Sequence, residues 1–303
     1  MKRIHGAAIV LAMLIAALAA AVAATVFADQ QRWSRTVEHR RDAVQAQALV
    51  MAGVQWARQI LDEDARRSQI DHLGEPWALA LPPIPLDNGE IRGAIVDAQG
   101  RLNINALGAT ATTVGPERLR IAALFAGRGV NVALLDAIAD WIDADGVTRP
   151  GGAEDAYYAA LPAPGLAANA PMLRVAEITA VKGVTAQALA AVAPFLSALP
   201  MGTSLNVNTA PPEVLATLFA ALTGDQLAAL VADRTAKPFT TIADFRARLP
   251  DGAALSSESA LSVRSNYFYV TVEARQGVTT ARARALLRRD SGEWPIVVWQ
   301  IVE

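Results

Sequence analysis

Between Gly6 and Ala28 the chain runs 23 residues without a charged side chain. As a helix rising about 1.5 Å per residue, such a stretch spans the roughly 30 Å of hydrocarbon in a bilayer. Lys2 and Arg3 precede it, but Arg32, Arg35, Arg40 and Arg41 follow. Positive charge therefore does not by itself set its orientation. Composition restricts the chemistry of the remainder. With 27 Lys and Arg against 29 Asp and Glu, the chain lacks the basic excess of a general nucleic-acid binder. Three scattered histidines, His5, His39 and His72, leave a His-based zinc site or a Ser-His-Asp triad almost nothing to work with. There is no cysteine, so folding needs no oxidant.

Three readings of the apolar segment stand open. It can be a secretory signal cut after Val26-Phe27-Ala28, although it exceeds the usual h-region of about 7–15 residues. It can be a plain membrane anchor. Or the basic leader, Gly6 and apolar helix form the pattern that prepilin peptidases cut between Gly6 and Ala7, leaving the helix attached. Downstream, neither Pro nor Gly occurs between Asp29 and Gly53. Helix formers continue to about Asp64, which predicts one helix roughly 87 Å long, as in a pilin stalk. Trp33, Val37, Val44, Ala48 and Met51 recur on it at helical spacing. The plainest reading of that stripe is packing against the chain's own domain.

Pro76, Pro82, Pro83 and Pro85 place a loop over roughly 73–88. Glu90–Val96 and Arg101–Asn105, separated by Asp97-Ala98-Gln99-Gly100, predict two strands around a turn. Tyr267–Ala274, Thr279–Arg288 and Ile296–Val302 predict three more, rich in aromatic and β-branched residues. Arg282, Arg284, Arg288 and Arg289 read as one solvated face. Residues 109–262 are helical, Ala/Leu-rich and broken by Pro and Gly. The class is α+β, with a sheet split by a large helical insertion.

Within the insertion, Asp136, Asp140, Asp143, Asp145, Glu154 and Asp155 fall inside twenty residues, opposed only by Arg149. Oxygen ligands on a flexible loop suit calcium, which takes about 6–8 of them. A solvated acidic loop at a helix end is the competing reading, since the full EF-hand pattern is absent. Leu173–Pro194, around Val181-Lys182-Gly183-Val184-Thr185, and the stretch from Leu205 resemble helix-hairpin-helix units. Only Arg174 and Lys182 are basic between Pro171 and Val231, which favours a packed scaffold over DNA binding. Asn206 and Asn208 are expected to tie down the turn before the next helix. No phosphate loop follows a strand and no nucleophile elbow is present, so the chain reads as a non-enzyme.

Several motifs together resemble one family. They are Gly6 before the apolar helix, Gly100-Arg101-Leu102-Asn103-Ile104-Asn105-Ala106-Leu107, Asp140-Trp141-Ile142-Asp143-Ala144-Asp145, Gly152-Ala153-Glu154-Asp155-Ala156-Tyr157-Tyr158, and Leu205-Asn206-Val207-Asn208-Thr209-Ala210-Pro211. Over essentially its whole length the chain is similar to the minor pseudopilin K family of type II secretion (general secretion pathway protein K). The resemblance implies a pilin-like long N-terminal helix packed on an antiparallel sheet, with an all-α domain inserted between strands. It divides the chain into a leader (1–6), the membrane half (7–28) and periplasmic half (29–72) of the helix, a first part of the β domain (73–108), the insertion (109–262) and C-terminal strands (263–303). It also implies cleavage between Gly6 and Ala7, N-methylation of Ala7, and a single-pass inner-membrane protein with its C-terminal domain in the periplasm.

The family's role implies a subunit that caps the tip of the pseudopilus and helps start its assembly. Most pilins carry Glu at the fifth mature position, here Leu11, and its absence suits a subunit with none above it. The resemblance further implies two structural calcium ions, carried onto Asp143, Asp145, Glu154 and Asp155, with Asp140 and Asp136 as additional acids. Its partners would be the I- and J-type minor pseudopilins, docked along the Trp33, Val37, Val44, Ala48 and Met51 stripe. Other pseudopilins, the prepilin peptidase, the secretin and secreted substrates complete that set, without nucleic acid. A membrane-tethered helix-hairpin-helix protein for DNA uptake and a calcium-dependent periplasmic hydrolase are the alternatives.

Overall fold

The computed structural model describes residues 4–79, 82–108, 115–256 and 260–303, with side chains from Ala7 onward. Helix α1 runs unbroken from Ile4 to Arg67, 64 residues or roughly 96 Å. Arg66 and Arg67 occupy its last turn, where cations complement the helix dipole. Its domain-facing stripe is Ala46, Val50, Val54, Ala57 and Leu61, each no more than 4% exposed. Gly53 belongs to the same approach: a Cβ there would meet Val272 Cγ1 at 2.6 Å, so only glycine lets the helix sit this close to the sheet. The stripe expected to pack is a different one. Trp33, Val37, Val44, Ala48 and Met51 are all exposed, and Trp33 is 70% so. They lie roughly a third of a turn round the helix from the packed residues. The correction has a simple cause: two apolar stripes share one helix, and the sheet covers the one that combines Val50, Val54 and Leu61 with the small Ala46 and Ala57.

The described residues form nine strands: β1 (Ile84–Leu86), β2 (Gly89–Asp97), β3 (Leu102–Asn103), β4 (Leu196–Ser197), β5 (Leu205–Asn206), β6 (Leu261–Ser262), β7 (Tyr267–Gln276), β8 (Thr279–Arg288) and β9 (Ile296–Val302). An antiparallel sheet in the order β1-β2-β7-β8-β9 carries α1 across β7 and β8. Phe268, Val270, Val272, Ala283, Ala285 and Leu287 meet the helix there. The strand expected at Arg101–Asn105 does not return to this sheet. Only β3 forms there, parallel to β4 inside the insertion, while β2 pairs with β1 and β7. The predicted 73–88 loop instead holds β1, and Pro85 is tolerated because an edge strand leaves one side unpaired. The opposite edge, β9, has no ionisable side chain over seven residues, and Ile296, Val298 and Val302 are exposed.

The chain leaves the sheet at Asp97, so the insertion begins at 98, not at 109. Leu102, Ile104 and Leu107 already belong to its core, where periodicity alone cannot assign short apolar runs. The insertion carries the helices α2 (Pro116–Gly127), α3 (Leu134–Ile142), α4 (Asp155–Ala159), α5 (Ala186–Val192), α6 (Pro212–Ala216), α7 (Gly224–Ala236) and α8 (Ile242–Ala247), joined by long irregular stretches. It is built twice over on one device. In the first half, Asn105 N–H donates to Asn103 Oδ1, and the Asn105 amide exchanges bonds of 2.9 and 2.8 Å with the Met172 backbone. In the second, Asn208 N–H donates to Asn206 Oδ1, and the Asn208 amide exchanges bonds of 2.9 Å with the Phe239 backbone. The first Asn of each Asn-x-Asn is the last residue of a two-residue parallel ladder, β3 with β4 and β5 with β6.

A buried polar joint fastens the insertion to the sheet. Arg289, only 2% exposed, donates to Asp64 Oδ2 at 2.7 Å, to Asp71 Oδ1 and to the Ser265 carbonyl at 2.9 Å. Asp97 accepts from Asn206, Thr209 and Ser265 side chains at 3.1, 2.5 and 2.6 Å. Burial raises Asp64 and Asp97 to about 6 and pushes Asp71 upward too. The expected solvated face of arginines is thus corrected at one position. Arg282 and Arg284 do pair on the exposed sheet with Glu273 and Glu303, whereas Arg289 turns inward to serve these carboxylates.

Candidate functional site

Helix α3 buries Leu135, Ile138, Ala139 and Ile142 on one face, and Asp140, on another side of the helix, is fully buried too, against Arg149 and Gly152. Asp143 caps the C-terminus of α3, its N–H bonded to the Ala139 carbonyl at 2.9 Å. This is the negative pole of the helix, where further carboxylates are disfavoured unless a cation compensates them. The chain then loops through Asp145 and returns at Glu154, which precedes α4. Gly152 lines the turn because a Cβ there would run into the Asp140 carboxylate.

Three of the six acids named from sequence converge: Asp143, Asp145 and Glu154 each present an oxygen within 4.8 Å of the others. Asp143 is 3% and Glu154 7% exposed. Asp143 Oδ1 and both carboxylate oxygens of Glu154 are buried without a hydrogen-bond partner. Burial, reinforced by Asp140, Asp143, Asp145 and Asp155, raises Glu154 to about 7. Orphaned buried oxygens at the negative end of a helix fit an oxygen-seeking cation.

The other three acids are otherwise engaged. Asp140 accepts from Arg149 Nη1 at 2.7 Å and from Arg149 N–H at 3.1 Å. Asp155 ties back Ala167 N–H at 2.9 Å. Asp136 lies against Arg118 at 2.5 Å, so Arg149 is not the only cation facing the six acids. Sequence reading missed Arg118 because it comes from α2. Lys182, at the tip of the first helical hairpin, donates to the Gly152 carbonyl at 2.8 Å and lies over the Tyr157 ring. That hairpin buttresses the acidic loop.

A second carboxylate group, Asp64, Asp71 and Glu75, also comes within 4.8 Å. There the Arg289 guanidinium supplies the cation, and Trp77 Nε1 donates to Glu75 at 2.9 Å. At the N-terminus, Gly6 lies within the α1 backbone, and Ala7 and Leu11 are exposed on it. From Ala7 the helix is long and apolar enough to cross a membrane.

An apolar-ended helix laid on an antiparallel sheet, with a helical unit spliced into the sheet, defines a pilin-like, membrane-anchored subunit. Two family models, both described as type II secretion system protein K, match residues 100–201 and 205–264. Among relatives, the type II secretion system protein K of Pseudomonas aeruginosa is 32% identical over 90% of this chain and 85% of its own length. That of Pectobacterium carotovorum is 29% identical over 94% and 93%. A solved structure, the GspK-GspI-GspJ complex of the enterotoxigenic Escherichia coli type 2 secretion system, contains a chain 26% identical, with a TM-score of 0.75, covering 89% of this chain and 99% of that one. The chain belongs to the type II secretion system protein K family, the K-type minor pseudopilins. Its family is one of secretion pseudopilins, not of known enzymes. The two family models divide at the boundary between the two Asn-x-Asn halves of the insertion.

Proposed function

We propose that this chain caps the tip of the type II secretion pseudopilus and helps start its assembly. Cleaved between Gly6 and Ala7 and methylated at Ala7, it is held in the inner membrane by the apolar half of α1, with everything after about Asp29 in the periplasm. Leu11 offers no carboxylate to a subunit above. The observation that carries this reading is the exposed stripe of Trp33, Val37, Val44, Ala48 and Met51. An apolar stripe left open beside a completed domain core calls for a partner helix, and the solved relative is found assembled with GspI and GspJ. The stripe continues onto the sheet, since Gln300 of β9 reaches Met51 Sδ at 2.7 Å. Co-expressed with I- and J-type minor pseudopilins, the chain is expected to purify as a three-subunit complex. Purification of the free chain alone would refute the role.

The acidic loop is read as a structural calcium site. Asp143, Asp145 and Glu154 would hold the ion, with Asp155 and Asp140 around them; Asp136 stands apart on Arg118. Calcium would supply the positive charge that the three orphaned oxygens lack. Glu154→Gln then gives opposite results in two conditions. Without calcium the variant should melt higher than the wild type, because a buried unpartnered carboxylate is gone. In calcium at 100 times its Kd, the wild type should gain about 2.7 kcal/mol and overtake it. Thermal melts of the full-length chain in detergent, with calcium and with chelator, read both signs. Identical curves for the wild type in the two conditions would exclude the site.

A further inference from the structure

The Arg149 guanidinium sits among the acids of the proposed calcium loop. Its Nη1 is shared between Asp140 Oδ1 and Asp143 Oδ2. The other Asp143 oxygen, Oδ1, is buried and unpartnered, and the Asp143 carboxylate comes within 4.8 Å of those of Asp145 and Glu154. We propose that Arg149 is a tethered cation that competes with the metal for Asp143 and so sets how much calcium the loop needs. The inference rests on the calcium reading above.

Two observations separate a competitor from a residue that merely positions Asp143. Asp143 is already placed without Arg149, as the C-cap of α3 with its own N–H on the Ala139 carbonyl at 2.9 Å. Arg149, for its part, has somewhere to go. It keeps Asp140 through both Nη1 and its backbone N–H, and its side chain is 27% exposed, so releasing Asp143 opens it to solvent. A guanidinium and a divalent cation on one carboxylate repel strongly in a site this buried. Metal entry therefore exchanges one cation for another. The exchange would pull on the 143–149 loop, which exposes Val147 at 73%, and so couples calcium to an apolar point on the surface of the insertion.

The test is calcium affinity of the full-length chain in detergent micelles, measured by competition with a chelator after loading in excess calcium. Loading first keeps a variant measurable even if it folds only with the ion. Arg149→Gln is expected to bind calcium about tenfold or more tighter than the wild type, because an adjacent positive charge is removed. Arg149→Lys, which keeps the charge without the fork, should stay within about threefold of the wild type. Calcium-free Arg149→Gln should also melt below the calcium-free wild type. Equal or weaker calcium binding by Arg149→Gln overturns the proposal. If neither the wild type nor Arg149→Gln binds calcium, the calcium reading itself fails as well.

Discussion

Arg289→Met is expected to destabilise the folded chain by about 3–5 kcal/mol, the usual cost of leaving buried charges unpaired. Arg289 is 2% exposed and its guanidinium is the cation that Asp64 and Asp71 share. Methionine can still pack against Phe268, whose ring now lies 4.6 Å from the guanidinium carbon, so volume is nearly kept and charge is lost. The carboxylates respond to pH in a definite direction. Burial already raises Asp64 to about 6 in the wild type, against 3.8 for an exposed aspartate, and removing Arg289 raises it further. A group whose folded pKa lies above its unfolded value binds more protons when folded, so it favours the folded state as pH falls. The variant's deficit should therefore be larger at pH 8 than at pH 5. Urea unfolding of the full-length chain in detergent, followed by circular dichroism, measures both. The exposed Arg282→Met, whose partner Glu273 sits on the open sheet, should cost no more than about 1 kcal/mol. A deficit for Arg289→Met no larger than that control would contradict the account of the joint.

Val44→Glu combined with Met51→Glu is expected to leave folding intact and weaken partner binding about thirtyfold or more. Val44 is 65% and Met51 44% exposed, and exposed substitutions normally change stability by within about 0.5 kcal/mol. Two carboxylates set into an apolar helix contact should weaken association by about 2 kcal/mol or more, roughly thirtyfold, as for an interface hot spot. Co-purification with I- and J-type minor pseudopilins, beside a melting curve of the free variant, separates the two effects. Retained partners with an unchanged melt would remove the stripe from the assembly face.

What could be read from the sequence follows how local each signal is. The α1 helix, β7, β8 and β9 were legible because their patterns lie within a few residues of one another. The two stripes on α1 were not told apart, since Val50, Val54 and Leu61 recur at helical spacing just as Trp33, Val37 and Val44 do, and only the sheet shows which stripe it covers. Arg289 could not be separated from its neighbours on β8 because its partners, Asp64 and Asp71, lie 225 and 218 residues away. The acidic loop was half legible. Local crowding singled out six acids, yet only the fold shows that Arg118 draws Asp136 off while Asp143, Asp145 and Glu154 converge. Asn105 and Asn208 announced themselves as a repeated motif, but their bonds to Met172 and Phe239 need the chain brought back from 67 and 31 residues on.

The central claim is that the exposed flank of α1 is where a neighbouring minor pseudopilin sits. The chain has no cysteine, so Val44→Cys introduces a single thiol, and Trp56→Cys places one on the other flank of the same helix, where Trp56 is 49% exposed. Each variant is to be oxidised in cells producing an I-type minor pseudopilin with cysteines along its own N-terminal helix. The account predicts a disulfide-linked heterodimer from position 44 and none from position 56. A heterodimer from position 56 alone, or from neither, would contradict it.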